Sequence, residues 1–239
     1  NHAQIKFGGK QGGNIVYDNA SGTISDVIIS GSQTFGIKCN GISEPLINNL
    51  TIQNCSGDPV GMSLLSDPQF NNVIFTGNNT SGIRITDTEL SSNANLNKRS
   101  IAGIPNIAYI MDNLTISEDV VLEIEPGVVI KFPYGSSYYN KKRVEINGAI
   151  KAIATEDEKI VFTSIKDDSY GGDTNNDGAT SVPEKGDWIS LNFNSSTIDS
   201  LNILKNCIIR YGGSHHGGDE LKYGLIKMFS SYVKIDSCF

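Results

Sequence analysis

The residues best spaced for chemistry lie between positions 167 and 187. Asp173, Asn175 and Asp177 alternate along the chain, Gly178 follows, and Glu184 closes the segment after five more residues. That order fits the D-x-[DN]-x-[DN]-G-x5-E template of a twelve-residue calcium loop at every specified position. Ca2+ is a hard cation that takes oxygen ligands. Asp173, Asn175 and Asp177 would supply three side-chain oxygens, Ala179 its carbonyl, and Glu184 a two-oxygen closure. Asp167, Asp168 and Asp187 stand nearby as further donors. No helical pattern flanks the segment and Pro183 sits against Glu184. The expectation is a helix-free calcium loop, in which the closing ligand need not be Glu184. The alternative is a solvated acidic loop that holds no ion.

Other candidates carry less. Asp167-Asp168 is the one adjacent pair of carboxylates weighed for acid–base work on a sugar, and the calcium loop claims the same neighbourhood. The turn Ser214-His215-His216 has metal-binding side chains, but adjacent histidines point apart on an extended chain, so it reads as an exposed turn. Trp188 has the size of a sugar-stacking platform; a cap on a strand edge or core end is the preferred reading. Lys141-Lys142-Arg143 is the basic cluster of the chain and reads as a solvated loop.

The elements that must position these residues follow a fixed step. Ile24-Ser-Asp-Val-Ile-Ile, Ile47-Asn-Asn-Leu-Thr-Ile and Phe70-Asn-Asn-Val-Ile-Phe are spaced by 23 residues. Leu204-Lys-Asn-Cys-Ile-Ile and Ile235-Asp-Ser-Cys-Phe repeat the line later. A second line is Gly36-Ile-Lys-Cys, Gly61-Met-Ser-Leu and Gly82-Ile-Arg-Ile. A repeat of this size cannot bury its apolar side alone and becomes stable when copies stack. The apolar runs are short, rich in Ile, Val, Leu and Phe, and punctuated by Asn, Asp, Gly and Ser, which predicts strands and tight turns rather than helices. The fold class is therefore all-β, with coils of about 23 residues. Stacked Asn48-Asn49 and Asn71-Asn72 would hydrogen-bond up and down a ladder.

This line resembles the right-handed parallel β-helix, or pectin-lyase-like, family. Residues 107–213 are also similar to the opening coils of microbial secreted surface proteins with β-helix repeats. That likeness rests on Leu114-Thr115-Ile116, Leu122 to Gly127, Val128 to Phe132, Val144 to Gly148 and Gly186-Asp187-Trp188. It implies a calcium loop set between coils.

The expected organisation is residues 1–88 as the last coils of one β-helix module, 89–106 as a polar linker, and 107–239 as capping and first coils of a second module. Ile209-Arg-Tyr-Gly-Gly repeats Ile5-Lys-Phe-Gly-Gly at a distance of 204 residues. From this overlap the chain is expected to be an internal piece of a tandem array. Cys207 and Cys238 are placed in the ladder slot of Val27, Leu50 and Val73, as stacked core residues, and Cys39 and Cys55 as unbonded.

Of 239 residues 19% are charged, and 26 Asp and Glu against 19 Lys and Arg give a net charge of −7. That balance gives no electrostatic footprint for nucleic acid. No apolar run reaches the ~18 residues of a membrane span. Low charge with abundant Asn, Gly and Ser suits an extracellular or cell-surface β-rich protein. The expected function is a non-catalytic structural or adhesive module of a fibre or large repeat protein, stabilised by Ca2+. Its partners would be neighbouring copies, with carbohydrate or a host surface as further candidates. The alternative is a polysaccharide-binding or polysaccharide-cleaving β-helix enzyme. Ice binding is disfavoured because the threonines are scattered.

Overall fold

The computed structural model describes residues 3–135, 141–214 and 224–239; His215 and His216 fall outside them. The first coils contain β1 (Ala3–Lys6), β2 (Ile15–Asp18), β3 (Thr23–Ser30), β4 (Ile37–Asn40), β5 (Leu46–Gln53), β6 (Val60–Met62), β7 (Gln69–Thr76) and β8 (Ile83–Ile85). Next come β9 (Glu89–Leu90), β10 (Ala94–Leu96), β11 (Tyr109–Met111), β12 (Leu114–Ile116), β13 (Val121–Ile124), β14 (Val129–Phe132) and β15 (Val144–Ile146). The last are β16 (Ala149–Ile153), β17 (Ile160–Ser164), β18 (Leu191–Phe193), β19 (Ile203–Lys205), β20 (Cys207–Ile209), β21 (Ile226–Met228) and β22 (Lys234–Asp236).

All ladders between these strands are parallel, and each strand pairs with the strand one coil away. This is the expected β-helix. An eight-stranded sheet, β2-β4-β6-β8-β11-β14-β17-β20, runs the length of the stack. Its inward ladder reads Ile37, Val60, Ile83, Tyr109, Ile130, Phe162 and Ile209, one apolar residue per coil. Inward residues from every face meet in one continuous core. Isolated coils could not form it, so stability is a sum over neighbouring coils.

The first line of the repeat falls into register as read: Ile24 opposes Ile47, and Ile47 opposes Phe70. Its polar pair makes a corner inside each long strand. Asp26, Asn49 and Asn72 have φ of 58°, 51° and 51°. Asn and Asp tolerate this left-handed conformation better than most residues. Asn49 Nδ2 donates to Asp26 Oδ1 at 3.1 Å, Asn72 Nδ2 to Asn49 Oδ1 at 2.9 Å, and Asn71 Nδ2 to Asn48 Oδ1 at 3.0 Å. The second line needs a correction. Gly61 opposes Lys38 and Arg84 rather than Gly36 and Gly82. The slip is two residues, which in a strand leaves each side chain on the same face, so the pattern alone did not expose it.

Residues 89–106 are not a linker between separate modules. β9 and β10 pair with β12 and β13, and β8 pairs directly with β11. Leu90, Ala94 and Leu96 are buried between exposed polar neighbours. These runs of two and three residues are too short to register as periodicity. What changes here is the cross-section. The sheet β1-β3-β5-β7 stops, and the five-stranded sheets β9-β12-β15-β18-β21 and β10-β13-β16-β19-β22 begin.

The same change moves the tight corner round the coil. Asn206, with φ of 52°, precedes β20, so Cys207 opposes Ile160 in the long sheet. It does not share the slot of Val27, Leu50 and Val73, which lie in the four-stranded sheet. The motif of two polar residues before an apolar run marks a corner, whichever face follows it. All four cysteines are free thiols.

Candidate metal centre

The polar loop leaves β17 and enters β18, and it folds back along the outside of the long sheet. Gly171 (φ 65°) lies so close to the sheet that a Cβ there would stand 2.9 Å from the Ala108 methyl and 3.3 Å from Val129 Cγ1. Lys131, on β14, donates from Nζ to the Gly172 carbonyl at 2.7 Å. Further back, Ser81 N donates to Thr174 O at 2.9 Å. Asn176 Nδ2 donates to Asn78 O at 2.8 Å, and Ser81 Oγ donates to Asn176 Oδ1 at 2.7 Å. The loop is thus a strap. It crosses β14 and β11 and is tied just ahead of β8, nearly a hundred residues earlier in the chain.

Within the strap, Asp168, Asp173 and Asp177 each place a carboxylate oxygen within 4.8 Å of the others. The backbone is folded for this by its own acids. Asp173 accepts from Asp177 N at 3.1 Å and Gly178 N at 2.9 Å. Asp177 accepts from Thr180 N at 3.1 Å, from Ser181 N at 3.2 Å, and from the Ser181 hydroxyl. Asn175 turns its amide nitrogen to Asp177 Oδ2 at 2.8 Å, leaving its Oδ1 buried without a partner. Asp168 Oδ1 is likewise buried and unpartnered. An orphaned buried oxygen is costly. Here two of them belong to residues of the carboxylate loop, and every candidate donor is an oxygen. The residues present fit a hard divalent cation such as Ca2+.

The charges agree with that fit. Burial, and then the neighbouring Asp173, push the Asp168 carboxyl above its ordinary value, although Lys131 pulls it down. The Asp177 carboxyl is held low, first by the Ser181 hydroxyl. Burial lowers Lys131 to about 8, against the opposing pull of Asp168, Asp167 and Asp173. Its folded pKa therefore lies below the unfolded value of about 10.4. Between those values the unfolded chain binds more protons, so this group's share of stability rises with pH and is complete above the unfolded pKa. Relative to Lys131→Met, the unaltered chain should gain about 3 kcal/mol between pH 8 and pH 10.5. Urea unfolding of both proteins across that range checks it; parallel curves would refute it.

Several expected ligands lie elsewhere. Asp167 is buried and turned to Arg210, accepting from Nε at 2.8 Å and Nη2 at 2.7 Å, and from Thr163 Oγ1 at 2.6 Å. Burial pushes its carboxyl up, but these bonds outweigh it and leave it low. Asp187 is committed to Ser164 Oγ at 2.7 Å and Lys166 Nζ at 3.1 Å. Glu184 is exposed and outside the carboxylate group. The twelve-residue template assumes a helix leaving the loop, whereas here Pro183 and the turn into β18 carry Glu184 away. Asp168, ahead of the template, takes its place as third carboxylate. Ala179 is exposed with φ of 69°. Lys131, on β14, and Arg210, just past the end of β20, brace the strap, and their spacing gave no sign of this role.

Trp188 is not a surface platform. It is fully buried, stacked on Phe132 with centroids 4.2 Å apart, and its Nε1 donates to Arg210 O at 2.9 Å. The basic cluster is tied down: Lys142 pairs with Asp112 at 3.0 Å and Arg143 with Glu145 at 2.7 Å.

Comparison with known proteins gives a family and no near relative. No curated protein matches, and neither does any solved structure. A family model described as a right handed beta helix region matches residues 4–120, which ends before the strap. The parallel sheets that begin in that segment continue unbroken through β22. Residues 4–120 thus match the right-handed beta helix family, and with the parallel sheets running on to the last coils the fold is a right-handed parallel β-helix.

Proposed function

We propose that the chain is a non-catalytic structural or adhesive module of an extracellular or cell-surface fibre or large repeat protein, with Ca2+ locking the strap. The observation that carries this reading is the carboxylate group in a loop tied across coils far apart in sequence. A cation at Asp168, Asp173 and Asp177 would neutralise clustered charge and hold the strap against the long sheet. Its role would be mechanical.

The pair Asp167-Asp168 supports the same reading. Asp167 is consumed by Arg210, so the two carboxylates are not a free acid and base. A stack of eight coils rises about 34 Å at the spacing of neighbouring strands. Modules joined end to end would extend it as a stiff rod and cover the edges of the sheets. The local conformation of the repeated pentapeptide supports a tandem origin: Phe7 and Tyr211 have φ of 57° and 62°, and Gly9 and Gly213 have φ of 68° and 90°.

The test is electron microscopy of the purified chain in calcium, with a screen against acidic and neutral polysaccharides. Rods or end-to-end assemblies, with no new reducing ends and no unsaturated products, are expected. Cleavage of any polysaccharide would replace this reading with an enzyme.

A further inference from the structure

Two of the four cysteines face each other across consecutive coils. Lys205 on β19 opposes Asp236 on β22. The register holds two residues further on, where Phe239 N donates to Cys207 O and Ile209 N donates to Phe239 O, both at 2.9 Å. That pattern sets Phe239 opposite Ile208 and Cys238 opposite Cys207. Each cysteine follows a corner residue with φ of 52°, Asn206 or Ser237, so the two side chains leave their coils in the same direction. Both enter the main core, Cys207 with no exposure and Cys238 half-buried against it. The other two thiols have no such neighbour. Cys39 lies between Tyr17 and Met62, and Cys55 is bonded to the Asn78 side chain in the next coil.

Neighbouring strands lie about 4.8 Å apart, within the Cα separation that a disulfide bridges. Cys238 Sγ leans back toward the coil of Cys207, 3.4 Å from Leu204 O. Cys207 Sγ leans the same way, 3.6 Å from Ala152 O, so closing the pair needs a turn of the Cys207 side chain. Burial, and then Cys238 beside it, hold the Cys207 thiol above its ordinary value. Cys207 is therefore the poorer first nucleophile, and a reagent from solvent reaches the half-buried Cys238 first.

We infer that Cys207 and Cys238 are a disulfide-forming pair, which an external small-molecule disulfide closes into a bond that staples the last coil to the one before it. In the structure both are thiols. The Cys238 thiolate attacks the reagent, forms a mixed disulfide and releases one thiolate. Cys207 then gives up its proton, and its sulfur displaces the second thiol from Cys238. Two protein thiols are oxidised, and one small disulfide is reduced to two thiols. Such a bond persists in an oxidising compartment and opens in a reducing one. It does not depend on a metal in the strap.

The test is incubation of the whole chain with oxidised glutathione, followed by thiol counting in denaturant and by peptide mapping. The count is expected to fall from the four free thiols to two, with Cys207 and Cys238 in one linked peptide pair and no glutathione retained. Hydrogen exchange of the Ile209 and Phe239 amides should slow at least tenfold in the oxidised chain, and dithiothreitol should restore it. Cys238→Ala, whose melt verifies folding, should lose both the link and the slowing. Four thiols after oxidation, or glutathione held on Cys238 with Cys207 free, would overturn the inference. So would a link to Cys39 or Cys55, a link between two chains, or a linked chain whose amides exchange as before.

Discussion

Replacing Trp188 with alanine should cost about 3–5 kcal/mol, the range for removing a large buried aromatic. The indole lies flat on Phe132 at an interplanar angle of 16°, with no exposure. Gly212 is packed against it, since a Cβ there would fall 2.7 Å from the indole. The alanine variant leaves a cavity between the strap's return to β18 and the last coils, and it strands the Arg210 carbonyl. Trp188→Phe keeps much of the packing and loses the hydrogen bond, so about 1–3 kcal/mol is expected for it. Urea unfolding measures both. A loss below 1 kcal/mol for alanine would contradict the buried placement.

The second large effect belongs to the strap. A ligand that binds only the folded chain stabilises it by about 4 kcal/mol at a thousandfold excess over its dissociation constant. Asp173→Asn together with Asp177→Asn should abolish that calcium-dependent gain. In chelator the double variant should be somewhat less stable than the unaltered chain, because the two carboxylates fold the loop through the hydrogen bonds they accept. Hydrogen exchange would localise the effect: calcium should protect the Ser81 amide, which the strap holds through Thr174 O. Magnesium at the same concentration should do less, because it demands a tighter octahedron and gives up water reluctantly.

What could be read from the sequence was set by the range of the interactions. Stacking repeats itself coil after coil, so Ile24, Ile47 and Phe70 announced their register, and Asn49 and Asn72 their corner. Leu90 and Leu96 were hidden because strands of two or three residues leave almost no pattern. The shift of the corner to Asn206 was hidden for another reason: the same short motif serves either face. In the strap, the approach of Asp173 to Asp177 was legible because a tight loop folds on itself. Glu184 was misplaced because its position depends on what the loop joins, here a strand rather than a helix. The pairing of Asp167 with Arg210 and the burial of Lys131 beneath the strap are contacts made across coils, and no local spacing encodes them.

The most direct measurement is the thermal melt of the unaltered chain, in calcium and then in excess chelator. If the Asp168, Asp173 and Asp177 group is a calcium site that locks the strap, calcium raises the midpoint by several degrees and the chelator returns it. Coincident melts in the two solutions would contradict the calcium-locked module.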